Sequence, residues 1–588
     1  MTERVLWFEP HAGIWPHVFP EALVADALRS QGAQVIHITC GGAFDSFCVP
    51  MSAMGLTAES DTAAKAKVCA ACRRNSGIIR DAFGFASYDL ERGLEAGDDA
   101  AIAALVAKTR RDDVNALVVD GVKVGQLALY EYLIHHKRSR STFTEAEWPG
   151  FVTHLTSTLK SLFAARRILD REQPTRVLIY NTLYSVNAVW RAVAAKKGIP
   201  VYAMHAGPNM ARRLQTLMLG RDSTIATLYA QTAAWPEHAN VPCNAEELAG
   251  VTDHFAELLK GQNVFVYSEG KAEQSRDWRA QYGIRPEQKL LVATMSSYDE
   301  YVAAYAVGEM PGEAGLVFPR QIEWIRALVE WMRDKPDRFL LIRVHPREFP
   351  NKREQKKSEH AEALERELVD LPPNVRVNWP ADKVSLYDIA EHADVILNAW
   401  SSAGREMALI GRPVVVYCPS LLMYAPGINY IGETREAYFA AIEQALRDGW
   451  SFERVRMAYR WAAVELERSI ASIADGFHWD EARATTLRGK LRNAAFTLPY
   501  VRQAYDVLRK PKHLAQEPRF AQVVLEGRTT LLDAPTPRRT ATEAEETAAL
   551  RRELGRLVDV LYRGARGAPQ KGTLRDYLTT ASARPERS

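Results

Sequence analysis

Apolar residues in this chain fall in short dense blocks, separated by longer stretches where they recur at helical spacing. In the first part, the blocks predict strands at residues 5–8, 34–39, 116–119, 176–180 and 200–204. Helices are expected at 19–31 and 185–197, the second stopped by Gly198. A second series begins near residue 285. It reads as strands at 289–294, 339–344, 375–378, 395–399 and 413–417, with helices at 321–334, 385–393, 404–410 and 438–449. Blocks that are apolar throughout, joined by amphipathic crossovers, predict parallel sheets covered on both faces.

Four regions follow: a lobe over 1–265 with a cysteine-containing insertion, a second lobe over 285–475, helices over 476–535, and a tail over 536–588. Residues 261–280 are expected to join the lobes. The tail is expected to carry one short helix, 550–562, and otherwise to be disordered or an interaction arm.

A length of 588 residues exceeds what one core organises. Hydrophobic content of 47% and charged content of 25% are ordinary for a globular protein. A net charge of +3 gives no support to nucleic-acid binding, while leaving contact with anionic lipid open. There is no apolar run of about eighteen residues. The chain enters a strand directly, with no signal peptide, so a cytoplasmic protein is expected.

Two segments of the second series carry the chemistry. FLLIRVHPRE (339–348) is a strand that breaks into a basic turn. ADVILNAWSSAGREMALIGRPVVV (393–416) is a strand, a polar turn, a helix and another strand. Open α/β sheets present ligand-binding groups at the carboxyl ends of their strands. His345 at such an end can donate to a phosphate oxygen, and Arg343 or Arg347 can grip one through paired bonds. Ser401 and Ser402 stand at a helix start, where hydroxyls and free N–H groups cap the helix or hold phosphate. Glu406, one turn on, can accept both hydroxyls of a ribose or complement the helix dipole. Together they point to a nucleotide-activated donor.

Transfer from such a donor needs a base for the acceptor hydroxyl. Candidates after strands are Glu9, His11, Asp120 and Asp299, with Asp120 favoured; His205 is as readily structural. Each Asp also suits a plain turn. Cys40, Cys48, Cys69 and Cys72 form a C-x7-C-x20-C-x2-C pattern, whereas Cys243 and Cys418 stand apart. Four thiolates suit a structural zinc or an iron–sulfur cluster; four unligated buried residues are the alternative.

RVHP (343–346), and SSAGRE (401–406) followed by LIGRP (409–413), resemble the His-Pro and Ser-Ser motifs of bacterial surface-polysaccharide glycosyltransferases of the GT-B fold. The resemblance is to the capsule-synthesis type, which includes Kdo transferases and distant sialyltransferases. DGVKVGQLALYEY (120–132) resembles a recurrent segment of their N-terminal lobe. It spans residues 1–480 and leaves the C-terminal helices without a counterpart. It implies an α/β GT-B protein: two Rossmann-like lobes facing a cleft, with a helical C-terminal extension. It further implies that both motifs hold a nucleotide sugar without a catalytic metal. CMP-Kdo is favoured, and UDP- or GDP-sugars remain open. The acceptor implied is a surface polysaccharide or its lipid-linked precursor, with peripheral association at the inner membrane. A UDP-sugar epimerase, a CDP-polyol phosphotransferase and a non-catalytic scaffold of a polysaccharide assembly complex are the alternatives.

Overall fold

The computed structural model describes residues 3–583 except 264, 268, 272–277, 352–354, 479–486, 497, 499 and 566. Part of the expected connector over 261–280 therefore lies outside the described residues. Among the described residues the chain builds two sheets, of seven and six strands. The first contains β1 (Arg4–Glu9), β2 (Gln34–Thr39), β3 (Ala86–Asp89), β4 (Arg176–Tyr180), β5 (Val201–Ala206) and β6 (Thr216–Arg221). The second contains β7 (Lys289–Thr294), β8 (Arg338–Arg343), β9 (Val375–Asn378), β10 (Val395–Asn398), β11 (Val414–Val416) and β12 (Tyr430–Ile431). A last strand, β13 (Ala471–Ser472), returns to the first sheet.

The first sheet runs β13-β6-β5-β4-β1-β2-β3, parallel except for β6, which runs against both of its neighbours. The second runs β12-β11-β10-β7-β8-β9 and is parallel throughout. Each order reverses once, between β1 and β4 in one lobe and between β7 and β10 in the other. Such switch points open a crevice at the carboxyl ends of the two strands. These are the two Rossmann-like lobes of a GT-B fold. The central strands are apolar because helices cover both faces: Val5, Leu6, Trp7 and Phe8, like Leu290 through Ala293, are wholly buried.

The lobes meet at the carboxyl edges. Thr182, just after β4, donates to Glu309 at 2.8 Å. Lys137, buried and in the left-handed region, donates through Nζ to the carbonyls of Arg347, Phe349 and Lys356. Glu359 of the second lobe accepts from Arg138, Ser139 and Arg140 of the first.

Two expectations fail. Residues 116–119 form no ladder strand. A 3-10 turn, Val114–Ala116, leads into one antiparallel bridge between Val119 and Val122, closed by Asp120 and Gly121, both at positive φ. That Asp-Gly pair makes a tight hairpin turn of the primed type. The tail is also more ordered than its polarity implies. It carries two helices, Glu543–Leu561 and Leu574–Ser582, and the first buries Leu550, Leu554 and Leu557 completely in the core of the second lobe. The helix Glu517–Val524 packs into the first lobe's core instead, with Phe520, Val523 and Val524 beside the residues of α1 (Trp15–Ser30). The chain after residue 470 thus crosses both lobes.

Candidate active site between the lobes

The turn after β1 holds the strongest chemical arrangement. His11 Nε2 lies 3.0 Å from Glu21 Oε1, and both side chains are fully buried. The other carboxylate oxygen of Glu21 accepts from the Trp7 indole at 2.8 Å. A carboxylate at Nε2 fixes the proton there, which leaves Nδ1 as the basic nitrogen; that atom is buried and makes no hydrogen bond. Glu9 has a different task. Its Oε1 accepts from the His11 backbone N–H at 2.7 Å, and burial, with Glu21 nearby, raises its pKa well above the usual carboxylate range. It shapes the turn and is not a free base.

Around His11 stand rings from β4, β5 and α1. His17, Tyr180 and His205 stack in order, with centroids 4.5 and 5.4 Å apart, and His11 lies 5.5 Å from Tyr180. Burial holds His17 well below its ordinary pKa and His205 down at about 4, helped in both by the charge of Arg213. Both rings are neutral at physiological pH, and Arg213 brings positive charge to this wall.

The segment 120–132 reaches the cleft at its far end, not at Asp120. Asp120 is half exposed and paired with Arg166, and its carbonyl accepts from Lys196. Lys196 ends the helix that starts at Ser185 after β4, so it lies at the opposite, amino-terminal edge of the sheet. The favoured base is therefore remote from the switch point. Glu131 instead accepts the Ser185 backbone N–H at 2.8 Å, capping that helix, and burial raises its pKa to about 7. Tyr130 joins the lobes: it is 6.4 Å from Tyr184, itself 6.4 Å from His11, and it feels the charge of Glu300 across the cleft. Glu300 in turn acts on His345.

In the second lobe, His345 follows β8. Its Nδ1 accepts the Arg347 backbone N–H at 3.3 Å, which puts the ring proton on Nε2. Burial lowers its pKa to about 4, so the ring offers a neutral donor. Ser401 and Ser402 follow β10 at the switch point. Ser401 Oγ accepts from Ala403 N–H at 3.3 Å, and Ser402 donates to Glu406 at 3.0 Å. The Glu406 carboxylate also accepts from Tyr387 at 2.8 Å.

Two expected donor ligands are bonded to partners within the protein. Arg343 is buried and donates to Asn378 and to the Val384 carbonyl, securing the loop after β9. Arg347 and Asp299 form a buried pair, Nη2 to Oδ2 at 2.8 Å, and Arg347 also donates to Tyr267 and to the Ile134 carbonyl of the other lobe. Arg347 is a bolt between lobes, and Asp299 is its counter-charge.

The four cysteines do come together, around one cavity described below. No group of three or more His, Cys, Asp or Glu among the described residues is disposed to hold a single metal ion. Also among the described residues, no helix is long and apolar enough to cross a membrane.

No family model matches the chain, and no curated protein matches it. Solved structures similar to it include the spinosyn rhamnosyltransferase SpnG, at 13% identity over 79% of this chain and 96% of that one, TM-score 0.24. A putative UDP-N-acetylglucosamine 2-epimerase from Listeria monocytogenes aligns at 10% identity over 80% and 96%, TM-score 0.24. The glycosyltransferase SnogD from Streptomyces nogalater aligns at 14% over 79% and 96%, TM-score 0.22. At such TM-scores the fold rests on the sheet topology itself.

Proposed function

We propose that the chain is a glycosyltransferase that moves a sugar from a nucleotide donor to a hydroxyl acceptor, with His11 as general base. The observation that carries this reading is the His11–Glu21 pair at the first lobe's switch point, with a hydrogen-bond-free Nδ1. As the anomeric carbon leaves the donor phosphate, Nδ1 takes the acceptor proton and Glu21 steadies the resulting imidazolium. His345 Nε2–H and the Ser401 hydroxyl face the departing phosphate, where hydrogen bonds favour the charge that develops. Because His11 is wholly buried, acceptor entry requires the lobes to separate, a motion common in enzymes that exclude water. The His-Pro and Ser-Ser motifs support a CMP-activated acid sugar of the Kdo type ahead of UDP- or GDP-sugars. They equally support a surface glycan or its lipid-linked precursor as acceptor.

The test combines binding and turnover. CMP, CDP, UDP and GDP are screened by thermal shift; one should stabilise the wild type and not His345→Ala. With the matching nucleotide sugar, folded His11→Ala should keep nucleotide binding yet lose turnover by about 10²–10⁴-fold. Donor turnover that needs no acceptor would replace this reading with an epimerase. No stabilisation by any nucleotide would leave only a scaffold.

A further inference from the structure

Four of the six cysteines share a cavity of about 320 Å³ beside the β1 turn. Cys40 follows β2, Cys48 precedes α2 (Val49–Ala53), and Cys69 and Cys72 lie one turn apart on α3 (Thr62–Phe83). All four are partly exposed and none is in a disulfide, whereas Cys243 and Cys418 are buried outright. The thiols lie close enough to act on one another: Cys48 feels Cys40 and Cys69, and Cys72 feels Cys40 and Cys48.

The backbone around them is built to receive sulfur ligands. The Gly13 N–H donates to Cys72 Sγ at 2.9 Å. Backbone N–H groups of Gly42 and Phe44 turn toward Cys40, and that of Met51 toward Cys48. A Cβ on Gly13 would stand 3.0 Å from Cys72 Sγ and 3.1 Å from Pro50, so that approach needs glycine. Gly41 and Gly42, at successive positive φ, fold the chain tightly after Cys40. Arg73, Arg80 and Arg92 also line the cavity.

A zinc site draws four sulfurs to about 2.3 Å from one point, and among the described residues no group of three or more His, Cys, Asp or Glu is disposed to hold one ion. In a cubane cluster each thiolate takes a different iron, so the sulfurs stand apart around a space. We propose that Cys40, Cys48, Cys69 and Cys72 ligate a [4Fe–4S] cluster. Each thiol gives its proton to solvent and forms one Fe–S bond, displacing a thiolate of the donor that delivers the preformed cluster. N–H donors to the sulfurs and the three arginines offset the negative charge of the loaded site. Gly13 and the Asn75 contact to the Ala12 carbonyl, at 2.8 Å, tie the cluster helix to the turn carrying His11.

The test is elemental and spectroscopic, and is independent of turnover. Protein purified without oxygen, or reconstituted anaerobically with ferric iron, sulfide and a thiol that reduces the excess ferric iron, should carry about four iron and four acid-labile sulfide per chain. It should show the broad visible absorbance of sulfide-to-iron charge transfer, bleached by dithionite. Cys69→Ser, on the solvent side of α3, and Cys72→Ser should each lose most of the iron while retaining wild-type circular dichroism. Wild-type protein that stays iron-free after reconstitution, or that holds one zinc lost on Cys72→Ser, would overturn the proposal.

Discussion

At the scale of single residues, burial sorts bases from braces. His11 and Asp299 look alike in sequence, each a polar group just past an apolar strand. In the fold, His11 keeps one nitrogen without a hydrogen bond, while Asp299 is spent on a buried Arg347. Removing one partner of a buried pair leaves an uncompensated charge. Asp299→Ala is therefore expected to cost about 3–5 kcal/mol of stability in urea denaturation, with turnover falling only as the folded fraction falls. Unchanged stability together with lost turnover would restore Asp299 as the base. Glu21 was invisible to pattern reading because it sits within the apolar run of α1, where a carboxylate looks like an interruption. Its purpose appears only when β1 brings Trp7 and His11 against it.

At the scale of elements, the regular pieces were legible and the turns less so. β7 and β9 match their expected limits, and the helix ending at Lys196 stops at Gly198, which takes positive φ. Amphipathic and all-apolar spacing are local properties, so they survive without tertiary information. Residues 116–119 resemble a strand because four apolar residues stand in a row, while the Asp-Gly pair that folds them back is the stronger signal. The consequence is testable. Asp120→Asn keeps the turn and removes only an exposed ion pair, so stability should shift by less than about 1 kcal/mol and sugar transfer should be unchanged. A large loss of transfer would return Asp120 to the site.

At the scale of the whole molecule, the C-terminal helices fasten the lobes. The helix Glu543–Leu561 lies on Ala245–Lys260, and its Glu546 is a fully buried partner of Arg460 at 2.6 Å. Arg519 donates to the carbonyls of Arg468, Ile470, Leu531 and Ala534, tying the crossover to the first lobe. Truncation after residue 535 should bare the leucine face and strand Arg460, giving protein that aggregates on expression or melts far below full length in calorimetry. A truncated chain with an unaltered melting temperature would show the tail to be dispensable. The sequence by itself determined the α/β class, the two lobes, the strands that end at His345 and Ser401, and the clustering of four cysteines, because periodicity, turn chemistry and spacing are written along the chain. Only the tertiary structure decided that His11 pairs with Glu21, that Arg343 and Arg347 find partners within the protein, and that the polar tail folds. Those outcomes depend on partners tens to hundreds of residues apart, and on desolvation, which exists only once the lobes have closed around them.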